Sequence, residues 1–203
     1  MVEEKIDYNV LFKEIINDVK LQKSDVLYVI GFVGAPGVGK STIAKLISKK
    51  LNIPILVNDK IRRQLDEVGI DSEKNQPLVV RLASDKCRYM LENNISFILD
   101  ANCAFSYKML EEIFEKNNAK IFYIKLECDE NEALKRIDER LEKYGEDKEN
   151  FSKATRFNYY SYLKRYKENP FPVNKIFFKV NTQMDIEKQV DKLVNKIKEE
   201  LYK

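Results

Sequence analysis

The sequence predicts an α/β fold in which helices cover both faces of a five-stranded, mostly parallel sheet. Short apolar runs of strand length alternate along the chain with longer segments whose apolar residues recur at helical spacing. The run at 27–33 is apolar almost throughout, which is typical of a strand buried on both faces. Strands that alternate with helices indicate a parallel sheet, because each helix carries the chain back to the same edge.

The first half of the chain supplies two strands and four helices. An N-terminal amphipathic helix is indicated by apolar residues at helical spacing: Val10, Leu11, Ile15, Ile16 and Val19. The first two strands are predicted at 27–33 and 53–57. The helices that follow them are predicted at 41–51, 59–68 and 77–92.

The second half continues the same alternation. Strands are predicted at 96–100, 120–126 and 175–180. Helices are predicted at 108–117, at 131–167 with a break near Gly145, and at 186–201 as a closing amphipathic helix. At roughly 100–200 residues per domain, we expect residues 1–203 to form a single domain, with 1–24 as an N-terminal helical extension.

The composition excludes several classes of protein. With 44% hydrophobic and 34% charged residues, a disordered chain is disfavoured. The chain has no histidine, which excludes Ser-His-Asp and Cys-His nucleophiles and histidine-ligated metals. A net charge of +3 does not by itself indicate a nucleic-acid binder.

Cysteine usage and hydropathy indicate the compartment. The three cysteines are far apart in sequence and form no CxxC pair, so a disulfide framework is not expected. The first residues are polar and acidic, and no apolar run approaches the ~20 residues of a membrane span. We therefore expect a cytoplasmic protein with no membrane partner.

A phosphate-binding loop is the strongest motif in the chain. Four of the six glycines lie between Gly31 and Gly39, and residues 34–41 fit G-x-x-x-x-G-K-[ST] between a buried strand and a helix. In such loops backbone N–H groups face phosphate oxygens, the lysine reaches the β- and γ-phosphates, and the serine hydroxyl holds Mg²⁺. The predicted ATP-binding residues are Gly34, Ala35, Pro36, Gly37, Val38, Gly39, Lys40, Ser41 and Thr42.

Asp100 is the predicted second magnesium ligand, with Ser41 as the first. It ends an apolar strand, where a carboxylate can hold the ion or its water, although it can also be an ordinary strand-end acid. Ala101 and Asn102 follow it instead of a water-activating glutamate, which disfavours a motor-type ATPase. No N-K-x-D segment occurs, which argues against a GTPase.

Asp59 and Arg62 follow the second strand and are candidate catalytic residues. A carboxylate at that edge of the sheet can accept a proton from an attacking hydroxyl, while Arg62, one turn further on, binds the acceptor or the transferred phosphate. The structural alternative is that Asp59 caps a helix and Arg62 is solvated. The absence of histidine leaves Asp59 as the best-placed base.

Arg136 and Arg140 are predicted to share one helix face, because they are four residues apart. Within a lid and following helix at about 129–168, two guanidinium groups can neutralise the charge that develops during phosphoryl transfer. The alternative is a surface helix laced with salt bridges, since acids are interleaved with these arginines.

These segments, in their order and spacing, resemble the P-loop kinases of the polynucleotide-kinase and zeta-toxin type over roughly 27–180. The resemblance implies a P-loop NTPase three-layer sandwich with a helical lid and a Mg²⁺- and ATP-dependent kinase that acts on a hydroxyl. It implies that Lys40 binds phosphates, Asp59 is the general base, Arg62 grips the acceptor and Arg136 or Arg140 is the lid arginine. It also places the loop near Asn181 and Thr182 beside the adenine.

The acceptor and the oligomeric state are not evident from the sequence. The segment 156–166 interleaves basic and aromatic residues, but its apolar spacing favours packing of Phe157, Tyr160, Leu163 and Tyr166 over contact with nucleic acid. Arg81 and Arg88 share a helix face and either line the acceptor site or lie in solvent. The acceptor is a small metabolite, a nucleotide or a nucleic-acid end; a regulatory nucleotide-binding module and a slow NTPase remain alternative functions.

Overall fold

Five parallel strands form one sheet in the computed structural model, which describes residues 7–17, 23–143 and 154–203. The strands are β1 (Tyr28–Val33), β2 (Ile55–Val57), β3 (Phe97–Asn102), β4 (Lys120–Glu127) and β5 (Ile176–Asn181). Their order in the sheet is β2-β3-β1-β4-β5. The predicted α/β fold is confirmed, and every strand pairing among the described residues is parallel.

The described residues also form α-helices near the predicted ones. They are α1 (Tyr8–Ile16), α2 (Lys40–Leu51), α3 (Asn58–Glu67), α4 (Gln76–Glu92), α5 (Tyr107–Lys116), α6 (Glu130–Lys143), α7 (Arg156–Glu168) and α8 (Ile186–Leu201). None of these helices is long and apolar enough to cross a membrane. Val19 and the predicted break near Gly145 lie outside the described residues.

The central strand β1 is buried on both faces, as its apolar sequence predicts. Side chains alternate along a strand, so Val29 and Val33 join one apolar core and Ile30 and Phe32 join the other. The first core packs against α1, α3, α4 and α5, and the second against α2, α6 and α8. The sheet is therefore the middle layer of three, and β1 delivers the following loop to the centre of its carboxyl edge.

The aromatic helix α7 buries a face that only partly matches the predicted one. Tyr159 is 5% exposed, and Tyr162 and Tyr166 pack against the first core. Of the four residues expected to pack, Tyr166 does so, whereas the other three are largely exposed: Phe157 (77%), Tyr160 (49%) and Leu163 (39%). Residues 159, 162 and 166 recur at helical spacing as the predicted residues do, so periodicity alone could not choose between the two faces.

The N-terminal helix α1 docks on α4 through apolar and polar contacts. Leu11 and Ile15 are buried in the first core. The buried Lys86 donates a hydrogen bond from Nζ to the carbonyl oxygen of Ile15 at 2.7 Å, which satisfies a helix-end carbonyl. The Tyr8 hydroxyl donates to Asp85 Oδ2 at 2.5 Å. These contacts hold the N-terminal helix against α4.

Replacement of Ile15 tests whether this docking contributes to stability. Ile15→Ala removes a side chain that is 1% exposed, and we expect it to lower the free energy of unfolding by about 2–4 kcal/mol. Val10→Ala on the same helix is the matched control; Val10 is 52% exposed, and a change within about 0.5 kcal/mol is expected. Equal urea-unfolding midpoints for the two variants would show that α1 docking adds nothing.

Candidate active site

A cleft with a volume of about 770 Å³ lies at the carboxyl edge of the sheet. The loops after β1, β2 and β3 meet there, next to the point where strand order changes direction on either side of β1. Open α/β sheets bind their ligands at such a switch point, because adjacent loops diverge and leave a crevice. The cleft is lined by residues from these loops and from α6.

The glycine-rich turn forms the floor of the cleft. Gly37 and Gly39 have φ of 81° and 94°, and Gly39 is the residue immediately before α2. A Cβ on Gly37 would lie 2.3 Å from the carbonyl oxygen of Ala133 in α6, so no side chain fits there unless α6 moves. Glycine therefore permits both the left-handed backbone and the close approach of α6.

Lys40, the first residue of α2, lies inside this turn. Its Nζ donates hydrogen bonds to the carbonyl oxygens of Gly34 at 2.9 Å and Ala35 at 2.8 Å. Burial lowers the pKa of Lys40 to about 8, while the carboxylates of Asp100 and Asp59 favour the charged form. Lys40 is thus a half-buried cation placed between the phosphate-binding turn and two acids.

Ser41 and Asp100 meet across the sheet edge. The Ser41 side chain lies close enough to the Asp100 carboxylate to lower its pKa by hydrogen bonding. Burial raises the pKa of Asp100, and the Ser41 hydrogen bond and the charges of Lys40 and Lys45 oppose that rise. A hydroxyl beside a carboxylate is an oxygen-donor pair of the kind that Mg²⁺ takes from proteins when phosphates supply further ligands. Among the described residues no cluster of three acids or cysteines offers an alternative metal site.

Asp59 lies on the first turn of α3 and Arg62 on the next, opposite the phosphate loop. Val57 pairs with Asp100 in the sheet, so the register of β2 and β3 brings the two acidic positions together. Burial raises the pKa of Asp59, Arg62 lowers it and the Asp100 charge raises it. Asp59 does not cap α3, because the helix begins at Asn58 and has no side-chain cap. The capping interpretation of Asp59 is therefore not supported.

Both predicted lid arginines reach the cleft. Arg136 donates to Glu132 Oε1 at 2.7 Å, and to Thr182 Oγ1 at 3.0 Å and the Thr182 carbonyl oxygen at 3.2 Å. Arg140 donates from Nη2 to the carbonyl oxygen of Ala154 at 2.9 Å, and its buried Nε has no hydrogen-bond partner among the described residues. Burial lowers the pKa of Arg140, and Asp59 raises it.

The structure brings most of the predicted site residues into one cleft. Pro36, Gly37, Gly39, Lys40, Ser41, Thr42, Asp59, Arg62, Asp100, Arg136 and Arg140 line it. The remaining three residues of the loop, Gly34, Ala35 and Val38, are buried behind the turn. Ala35 and Val38 belong to the second core.

Sequence reasoning missed three charged residues that also line the cleft. These are Lys45, Glu139 and Lys143. Lys143 continues the face of Arg136 and Arg140 at helical spacing, so the periodicity of α6 contained that signal. By contrast, Arg81 and Arg88 do not line the cleft: Arg81 lies 4.1 Å from the Tyr8 ring centre, and Arg88 pairs with Asp85.

A parallel sheet with this loop after its central strand defines an α/β P-loop NTPase fold. The chain belongs to the AAA_33 family, described as an AAA domain, whose sequence profile matches residues 29–165. The resemblance to P-loop kinases is thereby supported. Adenylate kinase from Azobacteroides pseudotrichonymphae genomovar. CFP2 is 31% identical over an alignment of 123 residues, and the match covers 53% of this chain and 64% of that protein. The chain thus matches less than two thirds of that relative's length.

Solved structures show the same fold at low sequence identity. A Chloroflexus aurantiacus protein provisionally assigned as a kinase has a TM-score of 0.65 at 16% identity, over 86% of this chain and 97% of that one. Shikimate kinase from Acinetobacter baumannii with shikimate has a TM-score of 0.57 at 16% identity, over 87% and 96%. Mycobacterium tuberculosis APS kinase with AMPPNP and APS has a TM-score of 0.55 at 14% identity, over 86% of this chain and 99% of that one.

Two glycines provide a test of the contact between the loop and α6. Gly37→Ala and Gly69→Ala both place alanine at a positive φ, 81° and 80°, but a Cβ on Gly69 meets nothing within 4 Å. Gly69→Ala should cost only the backbone strain, about 1–2 kcal/mol. Gly37→Ala should cost more, because α6 must move away from the turn. Equal losses in thermal unfolding would contradict the packing of Ala133 on this loop.

Proposed function

We propose that the chain is an ATP-dependent phosphotransferase that moves the γ-phosphate of ATP to a hydroxyl group. The observation that carries this proposal is the position of Asp59, which lines the same cleft as Lys40 and Asp100. A carboxylate that faces the phosphate loop without belonging to it has the placement of a base for an acceptor hydroxyl. The kinase names of the similar proteins support the same interpretation.

The donor side of the cleft fits ATP. The turn at residues 34–39 directs backbone N–H groups and the N-terminus of α2 towards phosphate oxygens. Lys40 exchanges its two carbonyl contacts for the β- and γ-phosphates. Ser41 and Asp100 would hold Mg²⁺, and the ion would neutralise phosphate charge. In this proposal the adenine lies beside the loop after β5, whose buried Thr182 accepts a hydrogen bond from Arg136.

The transfer step uses the residues around the γ-phosphate. The acceptor oxygen forms a bond to the γ-phosphorus as the bond between that phosphorus and the β–γ bridging oxygen breaks, and ADP leaves. Asp59 accepts the proton of the attacking hydroxyl. Arg136 and Arg140, on the face of α6 that meets the cleft, stabilise the charge on the transferred group. Arg62 binds the acceptor beside Asp59.

The acceptor class is open within this proposal. Small metabolites, nucleotides and nucleic-acid ends all present hydroxyls, and the similar kinases are named for adenylate, shikimate and APS. Nucleic acid is less favoured, because the exposed Arg156 and Tyr160 on α7 already contact Asp138 and Glu130. Acidic neighbours of this kind repel a phosphate backbone. A cytoplasmic location suits a kinase that draws on cellular ATP.

Replacement of Asp59 tests the base. We expect Asp59→Asn to lower kcat for γ-phosphate transfer by about 10²–10⁴-fold, because the amide cannot accept the proton, and to leave ATP affinity nearly unchanged. The measurement is transfer of labelled γ-phosphate to nucleosides, oligonucleotides, nucleotide sugars and small polyols. Asp191→Asn is the control, since Asp191 pairs with Lys50 on the surface of α8.

Two results of this screen would replace the kinase proposal. ATP binding by wild type and variant without transfer to any acceptor would identify a regulatory nucleotide-binding module. ADP release that needs no acceptor and persists in Asp59→Asn would identify a slow NTPase.

Removal of one metal ligand tests the magnesium assignment. Asp100→Asn replaces a carboxylate by a neutral amide of similar size, so we expect the Mg²⁺ concentration for half-maximal transfer to rise by about tenfold or more. ATP affinity measured without divalent ions should change little or improve, because one negative charge is removed from the cleft. An unchanged Mg²⁺ dependence would show that Asp100 does not serve the ion.

A further inference from the structure

Gln76, the first residue of α4, contacts the proposed acceptor-binding arginine from outside the cleft. Arg62 Nη2 donates a hydrogen bond to Gln76 Oε1 at 2.7 Å. Gln76 is separated from Arg62 by fourteen positions and by the turn between α3 and α4, and no motif in the sequence marks it. The contact exists only because the turn folds α4 back beside α3.

The Gln76 amide is held in one orientation by the same turn. Its Nε2 donates to the carbonyl oxygens of Ser72 at 3.2 Å and Glu73 at 3.4 Å, so Oε1 is left to face Arg62. The turn is itself fixed, because Asp66 Oδ1 accepts a hydrogen bond from the backbone N–H of Ser72 at 2.9 Å. Ser72 is 2% exposed. A rigid backbone therefore determines where the amide oxygen lies.

This contact holds Arg62 at a distance from Asp59. Arg62 Nε lies 3.9 Å from Asp59 Oδ1, which is too long for a hydrogen bond. An arginine three residues after an aspartate on a helix can form a short bidentate ion pair with it, which is the strongest arrangement of these two groups. The hydrogen bond to Gln76 draws Arg62 Nη2 away from Asp59. The guanidinium group therefore lies between the Gln76 amide and the Asp59 carboxylate and forms no short contact with the carboxylate.

We propose that Gln76 is a positioning residue that keeps Arg62 from pairing tightly with Asp59. This inference rests on the proposed function, in which Asp59 must accept a proton from the acceptor hydroxyl. A carboxylate engaged by two guanidinium N–H groups is a weaker base and leaves less space for that hydroxyl. An Arg62 that stays between the two partners keeps N–H groups directed at the acceptor.

The structural alternative is that Gln76 only stabilises the start of α4. In that case its loss would change stability and leave the Arg62–Asp59 distance unaltered. Three variants separate the alternatives. Gln76→Leu removes both amide functions, Gln76→Glu keeps an oxygen that accepts from Arg62, and Asn93→Leu removes a comparable amide contact, to Tyr89, at the other end of α4.

The first measurement needs no activity. In crystal structures of wild type and variants, Gln76→Leu should shorten the closest Arg62–Asp59 nitrogen–oxygen distance to about 2.7–2.9 Å. Gln76→Glu and Asn93→Leu should retain the longer separation. An Arg62 in the same position in Gln76→Leu and wild type would overturn the proposal.

The second measurement is steady-state kinetics with whichever screened acceptor, nucleoside, oligonucleotide, nucleotide sugar or polyol, the wild type phosphorylates. Gln76→Leu should lower kcat/KM for that acceptor by about tenfold or more and leave the KM for ATP within about twofold. Gln76→Glu should recover most of the loss, and Asn93→Leu should match wild type. A parallel loss for ATP, or no recovery in Gln76→Glu, would overturn the positioning role.

The experiments distinguish failure of the proposed kinase function from failure of the inference about Gln76. If wild type phosphorylates no acceptor in the screen, the proposed function fails, and the crystal structures alone decide whether Gln76 separates Arg62 from Asp59. If wild type is active and Gln76→Leu keeps full kcat/KM, the function stands and the inference about Gln76 is wrong.

Discussion

The contact between the glycine-rich turn and α6 is the constraint on which the rest of the site depends. At Gly37 the loop backbone and the carbonyl of Ala133 approach so closely that no Cβ fits between them. That contact places α6 over the cleft and brings Arg136 and Arg140 to its edge. Arg136 then reaches Thr182 after β5, which links the phosphate loop to the far side of the sheet. Three distant parts of the chain are thereby assembled around one turn.

Charge balance in the cleft follows from this assembly. The half-buried Lys40 bonds to two backbone carbonyls, and its charged form is favoured by Asp100 and Asp59. Removal from solvent raises the pKa of both acids, and the charge of Lys40 opposes that rise at each of them.

Local patterns predicted the frame of the molecule well. Spacing in the sequence identified β1, the glycine-rich turn and the helix that begins at Lys40. The conformation of each depends mainly on residues that are close in sequence. Tertiary contacts determined what spacing could not. The aromatic helix α7 carries two apolar faces, and one of them is buried by contacts with distant elements, such as that of Tyr162 with Phe105, whose ring centres lie 5.5 Å apart. Arg81 likewise turns to Tyr8 and away from the cleft.

The sequence by itself determined the sheet, the phosphate loop and the residue types available for chemistry, because each is encoded within a short stretch of chain. It also made Asp59 the predicted base, since the chain contains no histidine. Only the tertiary structure decided that Arg62 is shared between Asp59 and Gln76. That arrangement depends on the turn after α3, which packs the start of α4 beside α3. The direction in which a turn leads the chain does not follow from the spacing of apolar residues in the sequence.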